Sequence, residues 1–180
     1  MAKDDEGWVE EKEKKRLAAL NVLGMLYTPR EERFDAITRL IASHFDVPIA
    51  MISLVGDRQV WLKSEVGLTG IEEVPREISF CDQAIREPQI LVVEDATLDE
   101  RFKDSPLVTG EAGLRFYAGA VIHASQREPM GAVCIIDRKP RQMSYRDRRQ
   151  LIDFAAYARR EMSRADAEMQ DIPSVQTSRE

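Results

Sequence analysis

The stretch that decides the fold is Leu114-Arg115-Phe116-Tyr117-Ala118-Gly119-Ala120-Val121-Ile122-His123-Ala124, followed after a turn at Ser125 to Pro129 by Met130-Gly131-Ala132-Val133-Cys134-Ile135-Ile136-Asp137. Side chains of an extended chain alternate between two faces. In the first half Leu114, Phe116, Ala118, Ala120 and Ile122 therefore share one face, and Arg115, Tyr117, Gly119, Val121 and His123 share the other. The second half is a near-continuous apolar run. The link is too short for a crossover, so the two segments predict antiparallel neighbours. The same design recurs upstream. Val47 to Val55 is apolar throughout, Gly56-Asp57-Arg58 reads as a turn, and Gln59 to Val66 follows as a second strand, giving a hairpin. Pro48 is tolerable at a strand start, and a strand apolar on both faces is expected near a sheet centre, covered on both sides.

Around these hairpins the sequence predicts helices. Leu17, Leu20, Leu23 and Leu26 mark a helix from about Trp8 to Met25, with a frayed start in the charged segment Met1 to Lys15. Thr28-Pro29-Arg30-Glu31 has the form of a helix start, with Thr28 as N-cap, Pro29 in the first helical position and Glu31 three residues beyond the cap. That helix runs to about Phe45, with Phe34, Ile37, Leu40 and Ile41 on one face. Gly67 to Glu77 reads as a loop. Ser79-Phe80-Cys81-Asp82 has capping-box spacing and predicts a short helix from Phe80 to Arg86, and Ile90 to Val93 a short strand. Glu94 to Gly113 is a long connection with helical turns at Leu98 to Phe102 and Pro106 to Thr109. Long loops in compact domains are often functional. Ser144-Tyr145-Arg146-Asp147 repeats the capping spacing. Leu151, Ala155, Ala158, Met162, Ala165 and Met169 then follow at the alternating steps of a coiled-coil seam. Asp171 to Glu180 is polar and is expected to be disordered. The order of elements is that of an α+β domain with a mostly antiparallel sheet. Residues 1–27 form an N-terminal helix, 28–160 the domain, and 161–180 a helical extension and tail.

Composition narrows the function. A chain of 180 residues suits one domain, and its formal charge of −6 makes it a poor binder of phosphate backbones. Two cysteines, Cys81 and Cys134, exclude a disulfide scaffold or a cysteine-rich zinc site, and two distant histidines, His44 and His123, argue against a histidine metal centre. The charged N-terminus lacks the apolar core of a signal peptide. The longest apolar stretch, Val47 to Gly56, is far shorter than the ~20 residues of a membrane helix. The expected location is the cytoplasm, without nucleic-acid or membrane partners.

Several segments, in order, resemble a GAF domain of the bacterial signalling type. They are Phe34-Asp35-Ala36-Ile37-Thr38, Phe45-Asp46-Val47-Pro48-Ile49, Ile78-Ser79-Phe80-Cys81 with Ala84-Ile85, Asp95-Ala96, Asp99-Glu100-Arg101-Phe102, Pro106-Leu107-Val108-Thr109-Gly110, Arg115-Phe116-Tyr117-Ala118-Gly119-Ala120 and Gly131-Ala132-Val133-Cys134-Ile135-Ile136-Asp137. The resemblance spans roughly Thr28 to Ala158. It implies a central sheet of five or six mostly antiparallel strands, with the N- and C-terminal helices on one face and a loop-roofed pocket on the other. Those helices often form a parallel dimer. Four departures narrow the match. Val121 stands where many relatives have Pro, and the Asn-Lys-Phe-Asp-Glu signature of cyclic-nucleotide binders is missing. Cys81 is followed by Asp82 rather than the His of bilin-binding members, and the two cysteines do not match the set used by the free-methionine-sulfoxide reductases of this fold. No kinase or cyclase module accompanies the domain in this chain, so a stand-alone protein is expected.

The candidate ligand-binding residues implied for the pocket are Phe80, Cys81, Asp95, Phe102, Arg115 and Tyr117. Phe80, Phe102 and Tyr117 would form apolar walls, Arg115 would grip an anion and Asp95 would accept from a donor. The plainer reading makes the two phenylalanines ordinary core and pairs Arg115 with a carboxylate. Cys81, in the first turn of a capped helix, is either a reactive thiol or a small buried residue. Cys134 reads as core, His123 as structural or surface, and His44 as a partner of its helix C-terminus. The basic run Arg138, Lys139, Arg141, Arg146, Arg148 and Arg149 lacks interleaved aromatics and reads as a solvated loop and helix face. Phosphate loops, catalytic carboxylate pairs, serine triads, metal sites and an identifiable cofactor are not found. The leading expectation is a non-enzymatic sensor that binds a small molecule as a homodimer and signals in trans to another protein through its terminal helices. The alternatives are a thiol-dependent reductase using Cys81 and a ligand-free dimerisation scaffold.

Overall fold

The two halves of the deciding stretch pair as expected. In the computed structural model, which describes residues 2–170 and the side chains of 9–164, β5 (Phe116–His123) and β6 (Pro129–Asp137) run antiparallel, from Phe116 opposite Asp137 to His123 opposite Pro129. We number the preceding strands β1 (Ile49–Val55), β2 (Gln59–Val66), β3 (Glu73–Pro75) and β4 (Ile90–Val93). β1 and β2 form the second hairpin, and β1 then zips onto β6, with Ile49 opposite Ile136 and Leu54 opposite Gly131. The sheet order is β3-β2-β1-β6-β5-β4 and every pairing is antiparallel. Gly131 lies so close to β1 that a Cβ there would collide with the Ser53 carbonyl oxygen. The seam between the hairpins therefore depends on glycine at that position.

Each face of the sheet has its own apolar core. One is covered by α1 (Ala2–Leu23), α2 (Glu32–Phe45) and α5 (Tyr145–Gln170). Leu20, Phe34, Ile41, Leu151, Ala155, Ala158 and Met162 pack there against Ala50, Ile52, Leu54, Phe116, Ala118, Ala120 and Val133. The other is covered by α3 (Phe80–Ala84), α4 (Pro106–Thr109) and the connection around Phe102. Phe80, Cys81, Ala84, Phe102 and Val108 pack there against Met51, Tyr117, Ala132, Cys134 and Ile136. β1 is buried along its whole length, as its two-sided apolarity requires.

Several boundaries differ from the sequence reading, each for a local reason. The helix expected from Thr28 begins instead at Glu32, and Glu31 makes no side-chain cap. Thr28 is engaged elsewhere. Its hydroxyl donates to the Met25 carbonyl at 2.9 Å, and it accepts from the buried Lys63 ammonium at 2.7 Å. Lys63 also donates to the Pro29 carbonyl at 2.9 Å and pairs with Glu31 at 2.7 Å. A buried ammonium must satisfy its donors, and it does so by taking the groups that would have started the helix. The first helix extends from Ala2 rather than Trp8 and stops at Leu23, where Gly24 turns left-handed with φ +65°. The loop expected over Gly67 to Glu77 contains β3, followed by a 3-10 turn at Arg76–Ile78. α3 ends at Ala84, two residues before the position expected, as Pro88 approaches. Ser79 caps it by accepting from the Cys81 amide at 3.2 Å. Asp82 does not complete the box, because its carboxylate is held by Arg76 at 2.7 Å and Arg86 at 2.9 Å. At α5 the reciprocal box does form. The Asp147 amide donates to Ser144 Oγ at 3.1 Å and the Ser144 amide to Asp147 Oδ2 at 3.3 Å. The expectations for the side chains of Ala165 and Met169, and for a disordered tail over 171–180, lie outside the described residues.

Candidate functional site

Tyr117 lies on the face of β5 that carries α3, and its ring folds along the strand over Gly119. A Cβ at Gly119 would meet the Tyr117 hydroxyl and ring. This vacancy lets the hydroxyl reach the middle of the neighbouring strand. It stands 3.2 Å from the Cys134 sulfur and donates to the Cys81 sulfur at 3.5 Å. The register explains the first contact, since Gly119 sits directly opposite Cys134. α3 brings the second sulfur down onto the sheet, and the two sulfurs lie 3.6 Å apart. Ser53, beside a bulge in β1, completes the cluster. Its hydroxyl donates to the Ala132 carbonyl at 3.2 Å and lies 3.9 Å from the Cys134 sulfur.

The cluster is dry. Tyr117, Cys81 and Cys134 each have 0% exposure. Burial pushes the Tyr117 phenol well above its ordinary range. The two thiols split. The hydrogen bond from Cys134, with those from Ser53, Tyr117 and Ser79, draws the Cys81 thiol down despite burial. Burial pushes Cys134 up, and the adjacent Cys81 adds to the effect. Of the two, Cys81 is the one drawn toward ionisation and Cys134 the one held back from it.

The sequence-derived candidates fall into two groups. Phe80, Cys81, Phe102 and Tyr117 come together. Phe80 stacks on Phe102 at 3.9 Å between ring centroids, and Tyr117 lies 5.2 Å from Phe80. They fill the space between α3 and the sheet. Asp95 and Arg115 stand outside this group. Asp95 accepts from the Thr97 amide and hydroxyl at 3.0 and 2.6 Å, and the hydroxyl bond chiefly holds its carboxyl below the usual range. Arg115 donates to the Val108 and Leu114 carbonyls, both at 3.0 Å, and so braces the long connection rather than pairing with a carboxylate. The basic run serves structure as well. Arg141 pairs with Asp137 at 2.6 Å and donates to the Phe45 and Asp46 carbonyls, while Arg138 donates to the Ala112 carbonyl at 3.2 Å.

Sequence reasoning missed Cys134 as a member of the cluster, having read it as core. The register itself could have found it, because Gly119 opposite Cys134 leaves room for a large neighbour. It also missed a charge relay on the outer side of α3. Arg76 donates to Asp82 at 2.7 Å, to Glu13 of α1 at 2.6 Å and to the Gly56 carbonyl at 3.0 Å. Glu13 in turn accepts from Arg16 at 2.8 Å, and the buried Arg16 donates to the Val55 carbonyl at 2.6 Å. The Arg16 and Arg76 guanidinium groups draw the Glu13 carboxyl down to about 2. An open cavity of about 880 Å³ lies along this relay, between α1, the end of α3 and the β5–β6 turn, with Arg76, Arg86, His123 and Arg127 in its wall. Another, of about 460 Å³, lies between α1 and the same turn, beside Val22, Met130 and Arg159.

The model of the GAF domain matches residues 29–161. The chain belongs to the GAF family. A cyclic di-GMP phosphodiesterase of Pseudomonas aeruginosa is 40% identical over 146 residues, covering 81% of this chain and 25% of that protein. The chain thus spans about a quarter of the length of that relative. The fold is shared with the GAF domain of a phosphoenolpyruvate-protein phosphotransferase from Coxiella burnetii, with TM-score 0.64, 15% identity, and 88% and 98% of the two chains covered. It is also shared with a free methionine-R-sulfoxide reductase from Neisseria meningitidis, with TM-score 0.61, 16% identity, and 82% and 87% covered.

This GAF domain has the expected α+β architecture, with six strands and with α1 and α5 on one face. α2 shares that face with them. Among the described residues no helix is long and apolar enough to cross a membrane, and no group of three or more His, Cys, Asp or Glu could hold a metal ion. GAF domains of this kind occur in bacterial signalling and sensor proteins. The fold serves many ends, so the site must carry any finer assignment.

Proposed function

We propose that this chain is the regulatory, ligand-sensing part of a cytoplasmic signalling system, non-enzymatic in itself. It acts as a homodimer through α1 and α5 and controls a partner protein in trans. The observation that carries the reading is the tie from α3 to α1 through Asp82, Arg76 and Glu13. A shift of α3 on the sheet has a direct polar path to a terminal helix, which is what a sensor needs in order to move an output element. The pocket residues Phe80, Cys81, Asp95, Phe102, Arg115 and Tyr117 are the proposed ligand contacts, with Phe80 and Phe102 as the group that parts to admit a small molecule. The 40% identical relative favours an output protein that handles a cyclic dinucleotide.

Native mass spectrometry of the protein purified gently from its own host tests this. A dimer whose mass exceeds twice the denatured chain supports the sensor and weighs its ligand. A dimer without excess mass favours a ligand-free scaffold. A monomer removes coupling through paired helices.

A second reading, a thiol-dependent reductase, draws on the 3.6 Å approach of Cys81 and Cys134. It requires turnover of a substrate such as free methionine sulfoxide by the wild type and none by Cys81→Ser.

A further inference from the structure

The chain has two cysteines, 53 residues apart in sequence, and the fold brings their sulfurs into contact at 3.6 Å inside a buried core. Burial alone makes a thiol inert, but two buried thiols in contact are different, because each is the other's reaction partner. A disulfide needs sulfurs about 2.05 Å apart. The closure of roughly 1.6 Å is the scale of a side-chain rotation with a small slide of α3. α3 is suited to such a slide. It is five residues long, and its outer side borders open cavities at Arg76, Asp82 and Arg86.

We propose that Cys81 and Cys134 are a redox modification site, oxidised to an intramolecular disulfide by a hydroperoxide and restored by a small dithiol. The roles are unequal. Cys81 lies in the first turn of α3, where the Tyr117 hydroxyl donates to its sulfur at 3.5 Å and the Cys134 sulfur stands 3.6 Å away, and it is the attacking thiolate. Cys134, mid-strand and held protonated by burial, resolves. In the first step the Cys81 sulfur attacks a peroxide oxygen. The O–O bond breaks, the departing oxygen takes the proton that Cys81 gave up, and Cys81 becomes a sulfenic acid. In the second step the Cys134 sulfur attacks the Cys81 sulfur. The S–O bond breaks, the S–S bond forms, and the hydroxyl leaves as water with the Cys134 proton. Two thiols are oxidised by two electrons, and one hydroperoxide is reduced to water and an alcohol, or to two waters for hydrogen peroxide.

The consequence for the rest of the molecule rests on the signalling reading. Residue 82 follows Cys81 directly, and Asp82 is held by Arg76, which also holds Glu13 of α1. Drawing α3 toward β6 loads this relay and loosens α1 where Glu13 docks.

The test uses the folded full chain treated with a modest excess of hydrogen peroxide and then alkylated without reduction. The expected product has lost two hydrogens, takes up no alkylating reagent, and yields a peptide joining Cys81 to Cys134 that dithiothreitol separates. Cys134→Ser should instead stop at a sulfenic acid on Cys81 that dimedone traps, and Cys81→Ser should gain nothing. Retention of the wild-type circular dichroism spectrum during the reaction keeps the result interpretable if a variant folds poorly. If the wild type stays reduced, or gains oxygen without joining the two residues, the proposal is overturned. Hydrogen exchange of the α1 amides separates the second part. Faster exchange in the disulfide form, abolished in Arg76→Gln, supports the path. An unchanged α1 overturns the path and the signalling reading it rests on, while the disulfide chemistry stands.

Discussion

At the scale of single residues, two glycines set how closely parts of the sheet approach one another. Gly119 makes room for Tyr117 to lie along β5, and Gly131 lets β6 approach β1 to backbone contact. They differ in what replacement would do. At Gly119 a methyl group meets the end of a tyrosine side chain, whereas at Gly131 it meets the Ser53 carbonyl and the Leu54 backbone. Gly131→Ala is therefore expected to lower stability by about 3 kcal/mol or more in urea denaturation, because a backbone cannot yield as a rotamer can. Both glycines stand in plain view in the sequence. What could not be read there is the partner each one serves, since that depends on the β1–β6 register, and the turn residues of the two hairpins do not specify how the hairpins join.

At the scale of elements, those with strong periodicity were legible and those held by a distant polar group were not. β2 and β4 fall at the boundaries their patterns predict, and the Ser144 box starts α5 as expected. The start of α2 was misread because Lys63, more than thirty residues away in sequence, takes the oxygens of Thr28 and Pro29. Asp82 was misread as half of a cap because Arg76 competes for it. The candidate site was legible in part for the same reason. The aromatic members follow from alternation and helix spacing, while the pairing of the two cysteines requires knowing how α3 lands on the sheet. Of the seam residues in α5, Leu151, Ala155, Ala158 and Met162 are all buried, so this part of the stripe is occupied by the helix's own sheet. Ala158→Leu, which forces three more carbons into a filled layer, should cost about 1–3 kcal/mol by thermal or urea unfolding. A seam left free for a partner helix would instead gain stability from the larger side chain.

At the scale of the whole molecule, α1 is fastened to the domain by charge as well as by apolar contact. Glu13 carries a carboxyl lowered from 4.5 to about 2 by Arg16 and Arg76. A depressed carboxyl contributes stability above its unfolded value and loses it as acid protonates the folded form. Wild-type stability should therefore fall between pH 4.5 and about 2. Glu13→Gln should be less stable at neutral pH and flatter across that window in an acid titration followed by circular dichroism. A parallel fall in both proteins would assign the acid response to other carboxylates. The sheet order has a further consequence, for the chain as it is made. β1 is buried on both faces and bonds β2 on one side, but its other edge waits for β6, with Ile49 opposite Ile136. During synthesis the first hairpin leaves the ribosome with an open apolar edge, and the chain from Gly67 to Asp137, about half of the domain, must follow before that edge is covered. Such an edge is a template for pairing between neighbouring nascent chains. The period of greatest aggregation risk thus opens when β2 emerges and closes only when Asp137 does. Chaperone demand should track the translation speed of that interval rather than the stability of the finished protein.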